Sequence, residues 1–327
     1  MTTAGAAWSW VTVAAVRDAA AGIRSITLSC ERPVPAAPGT HIDVMVLVEG
    51  RTGTRSYSVV RSDPAAGTLE IAVRLAADGG GGSRYLHGLA AGDRLRISEP
   101  RQYFPLTRGR PGYVLVAGGI GITPLAPMFR ELCAAGADVR LVYAGRDRAA
   151  MAFVDQLAGL DRPVQLVVEA EGATIDAAAL VAGVPAAHEL YVCGPIGLLE
   201  ALRAAWRAAG RHAAHLRFET FGSSGAHPAE EFVVEVPRLA LRTTVAARST
   251  VLDALRAAGA EMMFDCRRGE CGLCEVRVLA CDGVIDHRDV FLSDAQHAAG
   301  DYLCTCVSRV ASTSPTGGLS TLVLDLP

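Results

Sequence analysis

The feature that most constrains this chain is the placement of its nine cysteines. Six of the nine lie in the last 62 of the 327 residues. Cysteines that only fill hydrophobic cores would not cluster so tightly, and an odd number at close spacing suits a metal site better than a disulfide framework. Within the cluster, Cys266, Cys271 and Cys274 form a C-x4-C-x2-C pattern. We therefore expect the C-terminal region to hold a metal centre.

This spacing is that of a plant-type [2Fe–2S] cluster, which takes a fourth cysteine from a distant position. Gly269 and Gly272 suit a loop whose backbone approaches the cluster closely. Zinc is the rival metal, although zinc sites more often show paired C-x2–4-C knuckles. Unpaired core cysteines are the simplest alternative to a metal site. The fourth ligand is Cys304 or Cys306. Both can point to the same side of an extended segment, so alternation does not choose between them.

Composition and charge exclude several other classes of protein. Half of the residues are hydrophobic and 20% are charged, as in ordinary globular proteins. A net charge of −3 without a long basic run argues against nucleic acid as the main partner. No run of about 18 apolar residues predicts a membrane span, and no basic residue precedes Arg17, which argues against a secretory signal. We expect a cytoplasmic protein, because cysteine clusters in a reducing compartment usually bind metal or do chemistry. We also expect it to be a monomer.

The residue pattern changes twice along the chain. Short runs rich in Val, Ile, Thr and aromatic residues predict an antiparallel barrel or sandwich in the first hundred residues. Beyond residue 110, apolar strands alternate with helical patterns, which predicts a parallel sheet covered on both faces. The stretch 218–230 is rich in small residues and reads as a linker, and 311–320 reads as a surface loop. The predicted domains are 1–108, 109–222 and 232–327, with a linker at 223–231.

Two glycine motifs in the middle region are typical of nucleotide binding. The sequence G-G-I-G-I-T-P at 118–124 joins a predicted strand to a predicted helix and would present helix N-terminal N–H groups to a phosphate. It is not the G-x-G-x-x-G fingerprint, because Pro124 replaces the third glycine. Cys193-Gly194-Pro195 ends a later strand. Ligands of open α/β sheets bind at the carboxyl ends of strands, so both motifs are expected to face one crevice.

The barrel region carries a candidate flavin motif, Arg55-Ser56-Tyr57-Ser58. An arginine can hold a phosphate, a tyrosine ring can stack on a flat heterocycle, and a serine hydroxyl can bond a ring nitrogen. The glycine run at 79–82, followed by Ser83, is a second candidate phosphate site. Alone, the tetrapeptide could be an ordinary strand edge and the glycine run a flexible hairpin.

The order of these motifs resembles the phthalate dioxygenase reductase family, which includes vanillate demethylase reductases. Further matches are F-E-T-F-G at 218–222, D-H-R-D at 286–289 and L-V-L-D-L at 322–326, so the resemblance covers essentially the whole chain. It implies a multidomain protein similar to a ferredoxin–NADP reductase with a ferredoxin fused at its C-terminus. The implied domains are an antiparallel Greek-key β-barrel for FMN, an α/β parallel-sheet nucleotide domain and an α+β β-grasp ferredoxin domain.

The resemblance also implies a role for each matching residue. Ser58 would lie near the reactive flavin N5 and Cys193 against the nicotinamide, so these two are the expected catalytic residues. The implied FMN-binding residues are Arg55, Ser56, Tyr57, Ser58, Ala72, Val73, Arg74, Gly81, Gly82, Ser83, Thr123 and Phe221. The implied NAD-binding residues are Gly119, Gly121, Thr123, Cys193, Gly194 and Pro195. The family's last cysteine precedes a V-S-R-like tripeptide, which implies Cys266, Cys271, Cys274 and Cys306 as cluster ligands, with Cys304 as the alternative.

The implied activity is that of an oxidoreductase that passes electrons from NADH through FMN and [2Fe–2S] to a partner protein. The implied partner is a terminal oxygenase, either a Rieske-type aromatic hydroxylase or O-demethylase or a cytochrome P450. A non-enzymatic Fe–S redox sensor is the hypothesis from another class, and it would not need the flavin and nucleotide motifs. NADPH is the alternative donor, because Arg146 and Arg148 follow a predicted strand where a ribose 2′-phosphate could be held, although a solvated loop is the simpler interpretation. The 12 acidic residues and nine arginines from Phe232 onward favour a basic docking face on the partner.

Overall fold

The computed structural model describes residues 8–76, 80–221, 225–312 and 318–326. The chain falls into two units, Met1–Glu219 and Thr220–Pro327. The domain limits predicted at 108, 222 and 231 stay predictions. Gly79 of the glycine run, residues 222–224 at the predicted boundary between the nucleotide domain and the linker, and residues 313–317 of the polar segment lie outside the described residues.

The first domain is a closed antiparallel barrel of six strands. Its strands are β1 (Trp8–Ala20), β2 (Ile23–Cys30), β3 (Thr40–Val48), β4 (Arg51–Asp63), β5 (Thr68–Arg74) and β6 (Arg94–Ser98), with β7 (Arg101–Gln102) added beside β3 and the helix α1 (Gly82–His87). The strand order is β4-β5-β2-β1-β6-β3, and pairing of β3 with β4 closes the barrel. Alternate residues such as Ile26, Leu28, Ile42 and Ile71 are fully buried and fill its interior. The predicted barrel is confirmed.

The second domain is a five-stranded parallel sheet with helices. Its strands are β8 (Tyr113–Gly118), β9 (Val139–Gly145), β10 (Val164–Val168), β11 (Glu189–Cys193) and β12 (Leu216–Glu219), in the order β10-β9-β8-β11-β12. Its helices are α2 (Ile122–Ala134), α3 (Val154–Ala158), α4 (Ala177–Ala182) and α5 (Ile196–Ala208). Every residue of β8 is buried, as a central strand covered on both faces requires.

One hydrophobic core joins the barrel to the parallel-sheet domain. Ile122 and Phe129 of α2 belong to the same buried cluster as Val60 of β4 and Ala72 of β5. Arg130 of α2 also donates to the Val60 carbonyl at 3.3 Å. The strand that carries the candidate flavin motif is therefore packed against the helix that follows the candidate nucleotide turn.

The C-terminal unit is an α+β fold around a mixed sheet. Its strands are β13 (Phe232–Val236), β14 (Leu241–Val245), β15 (Glu275–Cys281), β16 (Val284–Asp286), β17 (Tyr302–Cys304), β18 (Arg309–Ala311) and β19 (Thr321–Asp325), and its helices are α6 (Val251–Ala257) and α7 (Asp294–Ala299). The main sheet has the order β14-β13-β19-β15-β17, with β13 antiparallel to β14 and parallel to β19. Helix α6 buries Val251 and Leu255 in the same core as Val234 and Leu322. This arrangement confirms the β-grasp prediction.

The helices are short, and the longest, α2 and α5, have 13 residues each. Among the described residues, no helix has the length and apolar character needed to cross a membrane.

Candidate flavin, nucleotide and iron–sulfur sites

Strand β4 positions the candidate flavin motif opposite β3, with Tyr57 paired to Ile42 and Ser58 to His41. The Ser58 side chain is buried, and its Oγ has no hydrogen-bond partner among the described residues. A buried polar group without a partner destabilises a fold unless a ligand or water satisfies it. This hydroxyl therefore fits a hydrogen bond to a flavin ring. Ser56 differs, since its hydroxyl donates to Asp43 at 2.6 Å.

Arg55 and Tyr57 provide complementary chemistry for a flavin. Burial raises the pKa of Tyr57 to about 12, although the Arg55 charge opposes this rise, so the phenol stays neutral. Arg55 donates to the Gly80 carbonyl at 3.0 Å. A Cβ at Gly82 would lie 2.7 Å from the Arg55 Cγ, and one at Gly81 would lie 2.4 Å from a Val48 methyl. Only glycine lets this segment close onto Arg55, and the resulting guanidinium beside exposed backbone suits a phosphate.

Strand β5 lies next to the motif because Val59 of β4 pairs with Ile71. Ala72 and Val73 are buried and Arg74 is exposed. The Ser83 hydroxyl at the start of α1 accepts a hydrogen bond from the Ala76 N–H at 3.1 Å. The structure thus brings the predicted residues of β4, β5 and α1 to one region of the barrel.

The two glycine motifs meet at the carboxyl ends of neighbouring parallel strands. Ala117 of β8 pairs with Cys193 of β11. A Cβ at Gly121 would lie 2.1 Å from the Cys193 carbonyl oxygen, and one at Gly194 would lie 3.0 Å from the Gly118 backbone. The motifs need glycine because their backbones touch. Gly118, which the resemblance did not include among the site residues, takes part in this contact equally.

The other residues predicted to bind the nucleotide differ in how buried they are. Gly119 has a positive φ of 54° and open space around the position of a Cβ. Thr123 is buried, and its hydroxyl donates to the Ile120 carbonyl at 2.9 Å. Cys193 is fully buried in the shared core. Pro195 precedes α5 and is exposed. The contacts predicted for Thr123 and Cys193 with the cofactors stay predictions.

The sulfur atoms of the C-terminal cysteines converge. The thiol of Cys306 hydrogen-bonds to Cys266, which lowers the pKa of Cys266. The thiols of Cys304 and Cys306 hydrogen-bond to Cys274 and lower its pKa as well, and Cys271 is hydrogen-bonded to Cys266. Thiolate sulfurs gathered in this way are the soft donor set that binds iron–sulfur clusters.

Cys306 contacts more of the ligand sulfurs than Cys304 does, and the choice of Cys306 as the fourth ligand stays a prediction. Cys306 follows β17 in a turn, and its sulfur lies against the sulfurs of both Cys266 and Cys274. Cys304 is the last residue of β17, is fully buried, and lies against Cys274. A ligand shared by the two ends of the C-x4-C-x2-C loop sits more centrally than one that touches a single sulfur.

The cysteine loop turns its backbone toward the sulfurs, as the sequence predicted. The N–H groups of Arg268 and Glu270 both donate to the Cys266 sulfur at 3.4 Å. Gly269 and Gly272 have φ values of 73° and 74°. A Cβ at Gly269 would lie 2.8 Å from the Asp289 backbone, and one at Gly272 would lie 2.2 Å from the Phe291 ring. Both glycines are required by conformation and by space.

The segment D-H-R-D at 286–289 holds the start of the C-terminal unit. The Asp286 carboxylate accepts a hydrogen bond from the Ala226 N–H at 2.8 Å, and Arg288 donates to the His227 carbonyl at 3.1 Å. Arg309 donates to the carbonyl of Glu230 at 2.8 Å. Residues 225–231, which the sequence predicts to be a linker, are therefore hydrogen-bonded to the ferredoxin fold.

One residue of the cysteine loop, Glu270, was missed by the sequence reasoning. Glu270 accepts hydrogen bonds from Thr220, and burial raises the pKa of its carboxyl group. Its signal was an acidic residue placed directly before a ligand cysteine. Phe221, predicted to cover the flavin, follows Thr220 in the C-terminal unit and is 44% exposed. Its predicted role stays a prediction.

Comparisons with known proteins agree with this geometry. Residues 23–105 match an oxidoreductase FAD-binding domain, and residues 238–311 match a 2Fe-2S iron-sulfur cluster binding domain. The chain is 40% identical over 278 residues to phenoxybenzoate dioxygenase subunit beta of Ectopseudomonas oleovorans, covering 84% of this chain and 85% of that protein. The structure of phthalate dioxygenase reductase superposes with a TM-score of 0.78 at 29% identity, covering 98% of each chain. The chain belongs to the phthalate dioxygenase reductase family.

A second structural match is part of a larger protein. An intact type IV self-sufficient cytochrome P450 monooxygenase aligns with a TM-score of 0.67 at 38% identity, covering 98% of this chain. The chain spans 41% of the length of that protein. This phthalate dioxygenase reductase-family chain is an oxidoreductase with a flavin-binding domain and a [2Fe–2S] domain, as the motif order implied.

Proposed function

We propose that this protein accepts hydride from NADH at FMN and delivers single electrons through its [2Fe–2S] centre to a terminal oxygenase. The bound cofactors supply the conversion of a two-electron donor into one-electron transfers, and the protein binds and orients them. The observation that carries the proposal is the shared core of β4 and α2, which packs the strand that bears the flavin motif against the helix that follows the nucleotide turn, within one unit.

Each motif residue has a task in this proposal. Ser58 would donate a hydrogen bond to the flavin ring, and the neutral Tyr57 would stack on it. The backbone at Gly119, Gly121 and Gly194 would allow the nucleotide to approach closely. Cys266, Cys271, Cys274 and Cys306 would hold the cluster.

FMN is proposed over FAD as the family resemblance implies, with Arg55 as the cation that would hold its phosphate. Arg55 lies over Gly80 and Gly82 and is positioned for a single phosphate. Denaturing the purified protein in acid and separating the released flavin by chromatography distinguishes the two cofactors. Release of FAD would contradict this part of the proposal.

NADH is proposed over NADPH because a candidate 2′-phosphate ligand is already paired. Arg148 donates two hydrogen bonds to the Glu171 carboxylate, at 2.5 and 2.9 Å. The ratio of kcat/KM for NADH to that for NADPH measures the preference. Glu171→Gln should raise kcat/KM for NADPH, because it releases Arg148 for a phosphate, and should leave kcat/KM for NADH unchanged. Equal values for both nucleotides in the wild type would contradict the proposal.

A Rieske-type oxygenase is the proposed electron acceptor, since the similar proteins include a dioxygenase subunit and phthalate dioxygenase reductase. A cytochrome P450 is the second candidate, favoured by the 38% identity to the self-sufficient P450. Titrating the reduced protein with one purified acceptor of each class, and following reoxidation at low and high salt, compares them directly. The acidic ferredoxin region predicts faster transfer at low salt to the true partner.

Anaerobic stopped-flow absorption tests the whole proposal. On mixing with NADH, the flavin bands should bleach first and the cluster bands second, and cytochrome c should then be reduced. A protein that binds no flavin, or whose cluster does not respond to NADH, would instead be an Fe–S sensor or binding module.

A further inference from the structure

We infer that Glu270 is a positioning residue for electron transfer to the cluster. It hydrogen-bonds the cluster loop to Thr220, the first residue of the segment 220–231, which we call the connection because it follows the flavin and nucleotide unit and leads to β13. The inference rests on the proposed function. Glu270 Oε1 accepts hydrogen bonds from both the N–H and the hydroxyl of Thr220, at 2.6 and 2.8 Å. Thr220 is 4% exposed, and the Glu270 side chain is 15% exposed.

Glu270 touches the cluster site and the connection at once. Its own N–H donates to the sulfur of Cys266, and its peptide bond leads directly to Cys271. The side chain then reaches Thr220 across 50 residues of sequence. Glu270 therefore contacts a ligand sulfur with its backbone and the connection with its side chain.

Thr220 is the point where such a tie has the greatest effect. It directly follows Glu219, the last residue of β12 and of the flavin and nucleotide unit. Every covalent path from the flavin unit to the ferredoxin unit passes through Thr220. Fixing this residue to the loop shortens the part of the connection that is free to move. Because the rate of electron transfer falls steeply with the distance between donor and acceptor, a shorter free segment favours transfer to the cluster.

Two further hydrogen bonds attach the connection to the ferredoxin fold. Asp286 accepts from Ala226, and Arg309 donates to Glu230, as described above. These contacts hold the later part of the connection to the ferredoxin fold. Glu270 is the one that also belongs to the cluster loop.

The charge of Glu270 is balanced locally. The Arg268 guanidinium lies 3.7 Å from its second carboxylate oxygen and is itself mostly buried. The hydrogen bonds to Thr220 need only an oxygen acceptor, which a glutamine also provides. We call the two hydrogen bonds from Thr220 to Glu270 the clamp. Glu270→Gln should therefore keep the clamp, whereas Glu270→Ala should remove it.

The experiment compares these two variants in the complete protein loaded with flavin and cluster. Single-turnover stopped-flow separates flavin reduction by NADH from cluster reduction, and hydrogen exchange reports protection of the Thr220 amide. In Glu270→Ala we expect cluster reduction to slow by about 10-fold, as when the productive arrangement is populated in only about a tenth of the molecules. Flavin reduction and the electron paramagnetic resonance spectrum of the cluster should not change, and the Thr220 amide should exchange faster.

Asp253→Asn is the matched control, because Asp253 pairs with the neighbouring loop residue Arg267 and does not contact Thr220. This variant and Glu270→Gln should reduce the cluster within about twofold of the wild-type rate, well short of the loss expected when a positioning contact is removed. A wild-type rate in Glu270→Ala, or equal slowing in Glu270→Gln, would overturn the inference.

Thr220→Val keeps the test decisive if Glu270→Ala assembles no cluster. It removes the hydroxyl donor outside the cysteine loop and keeps the N–H donor, so it should slow cluster reduction in part and raise exchange at residue 220. Unchanged values for both would overturn the clamp. If NADH fails to reduce the wild-type flavin, the proposed function itself fails, which is distinct from clean flavin reduction followed by equal transfer rates in all variants.

Discussion

At the scale of single residues, Ser58 shows how a site can be recognised by an unsatisfied atom. Its buried Oγ lacks a partner among the described residues. In flavin-free protein, Ser58→Ala should therefore cause no loss of stability, because it removes an unsatisfied polar group. Hydride transfer from NADH should slow by roughly 10- to 100-fold, as loss of a preorganised hydrogen bond predicts.

Stopped-flow flavin reduction and thermal unfolding check the two halves of this prediction. Ser62→Ala is the control on the same strand, since the Ser62 hydroxyl donates to the Val34 carbonyl at 2.9 Å. That variant should lose stability and keep its hydride-transfer rate. The reverse pattern, with Ser58→Ala unstable and fully active, would mean that the Ser58 hydroxyl serves only the fold.

The choice between Cys306 and Cys304 is also a residue-scale prediction. Cys306 lies against two ligand sulfurs and Cys304 against one. Cys306→Ser should lose the visible absorption and most of the iron, whereas Cys304→Ser should keep both. Iron analysis and absorption spectra of the two variants provide the measurement. An intact cluster in Cys306→Ser would make Cys304 the ligand.

At the scale of elements, the strands and helices follow local pattern where burial is uniform. The apolar run at 113–117 predicts a strand, and β8 extends one residue beyond it, to Gly118. By contrast, the residue pattern at 149–157 predicts one helix, but the structure has a 3-10 turn at Arg148–Ala150 and α3, because Phe153 adopts a φ of 65° between them. The apolar pattern at 57–60 predicts a short strand, but β4 extends well beyond it, since pairing with β3 rather than its own composition supports Arg51–Thr54.

The contact between the two glycine motifs gives a prediction for this scale. In Gly121→Ala, the new Cβ would meet the Cys193 carbonyl, so β11 and the turn before α2 must separate. We expect a loss of about 1–3 kcal/mol in the free energy of unfolding, as for other overpacked sites, together with weaker NADH binding. Denaturant unfolding and nucleotide titration measure the two effects.

Gly197→Ala is the matched control for that variant. Gly197 lies in α5 of the same domain, with open space where its Cβ would be. A glycine-to-alanine change inside a helix should stabilise the protein by about 0.5–1 kcal/mol. Normal NADH binding in Gly121→Ala would show that the motif contact is not needed for the nucleotide.

At the scale of the whole molecule, motif order was enough to predict the three folds. It was not enough to predict how Thr220 and residues 225–231 are held. Those contacts join Thr220 to Glu270 and Ala226 to Asp286, which are 50 and 60 residues apart. No local pattern encodes such pairs, because each partner has an ordinary solvent-exposed interpretation on its own. The fold must be known before the linker can be seen as attached.

The division into two units gives the last prediction. Cys274, Cys304 and Cys306 form a buried group with Leu252 in the C-terminal unit, while the flavin and nucleotide domains share a separate core. Because metal binding and folding are coupled, removing iron should lower the unfolding temperature of the C-terminal unit only. NADH-dependent reduction of ferricyanide, which the flavin alone can support, should persist, and reduction of cytochrome c should be lost. Calorimetry of the loaded and iron-free proteins, with both assays, provides the measurement. Loss of both activities together, with a single transition shifted as a whole, would mean that the two units fold as one and that the cluster stabilises the flavin site directly.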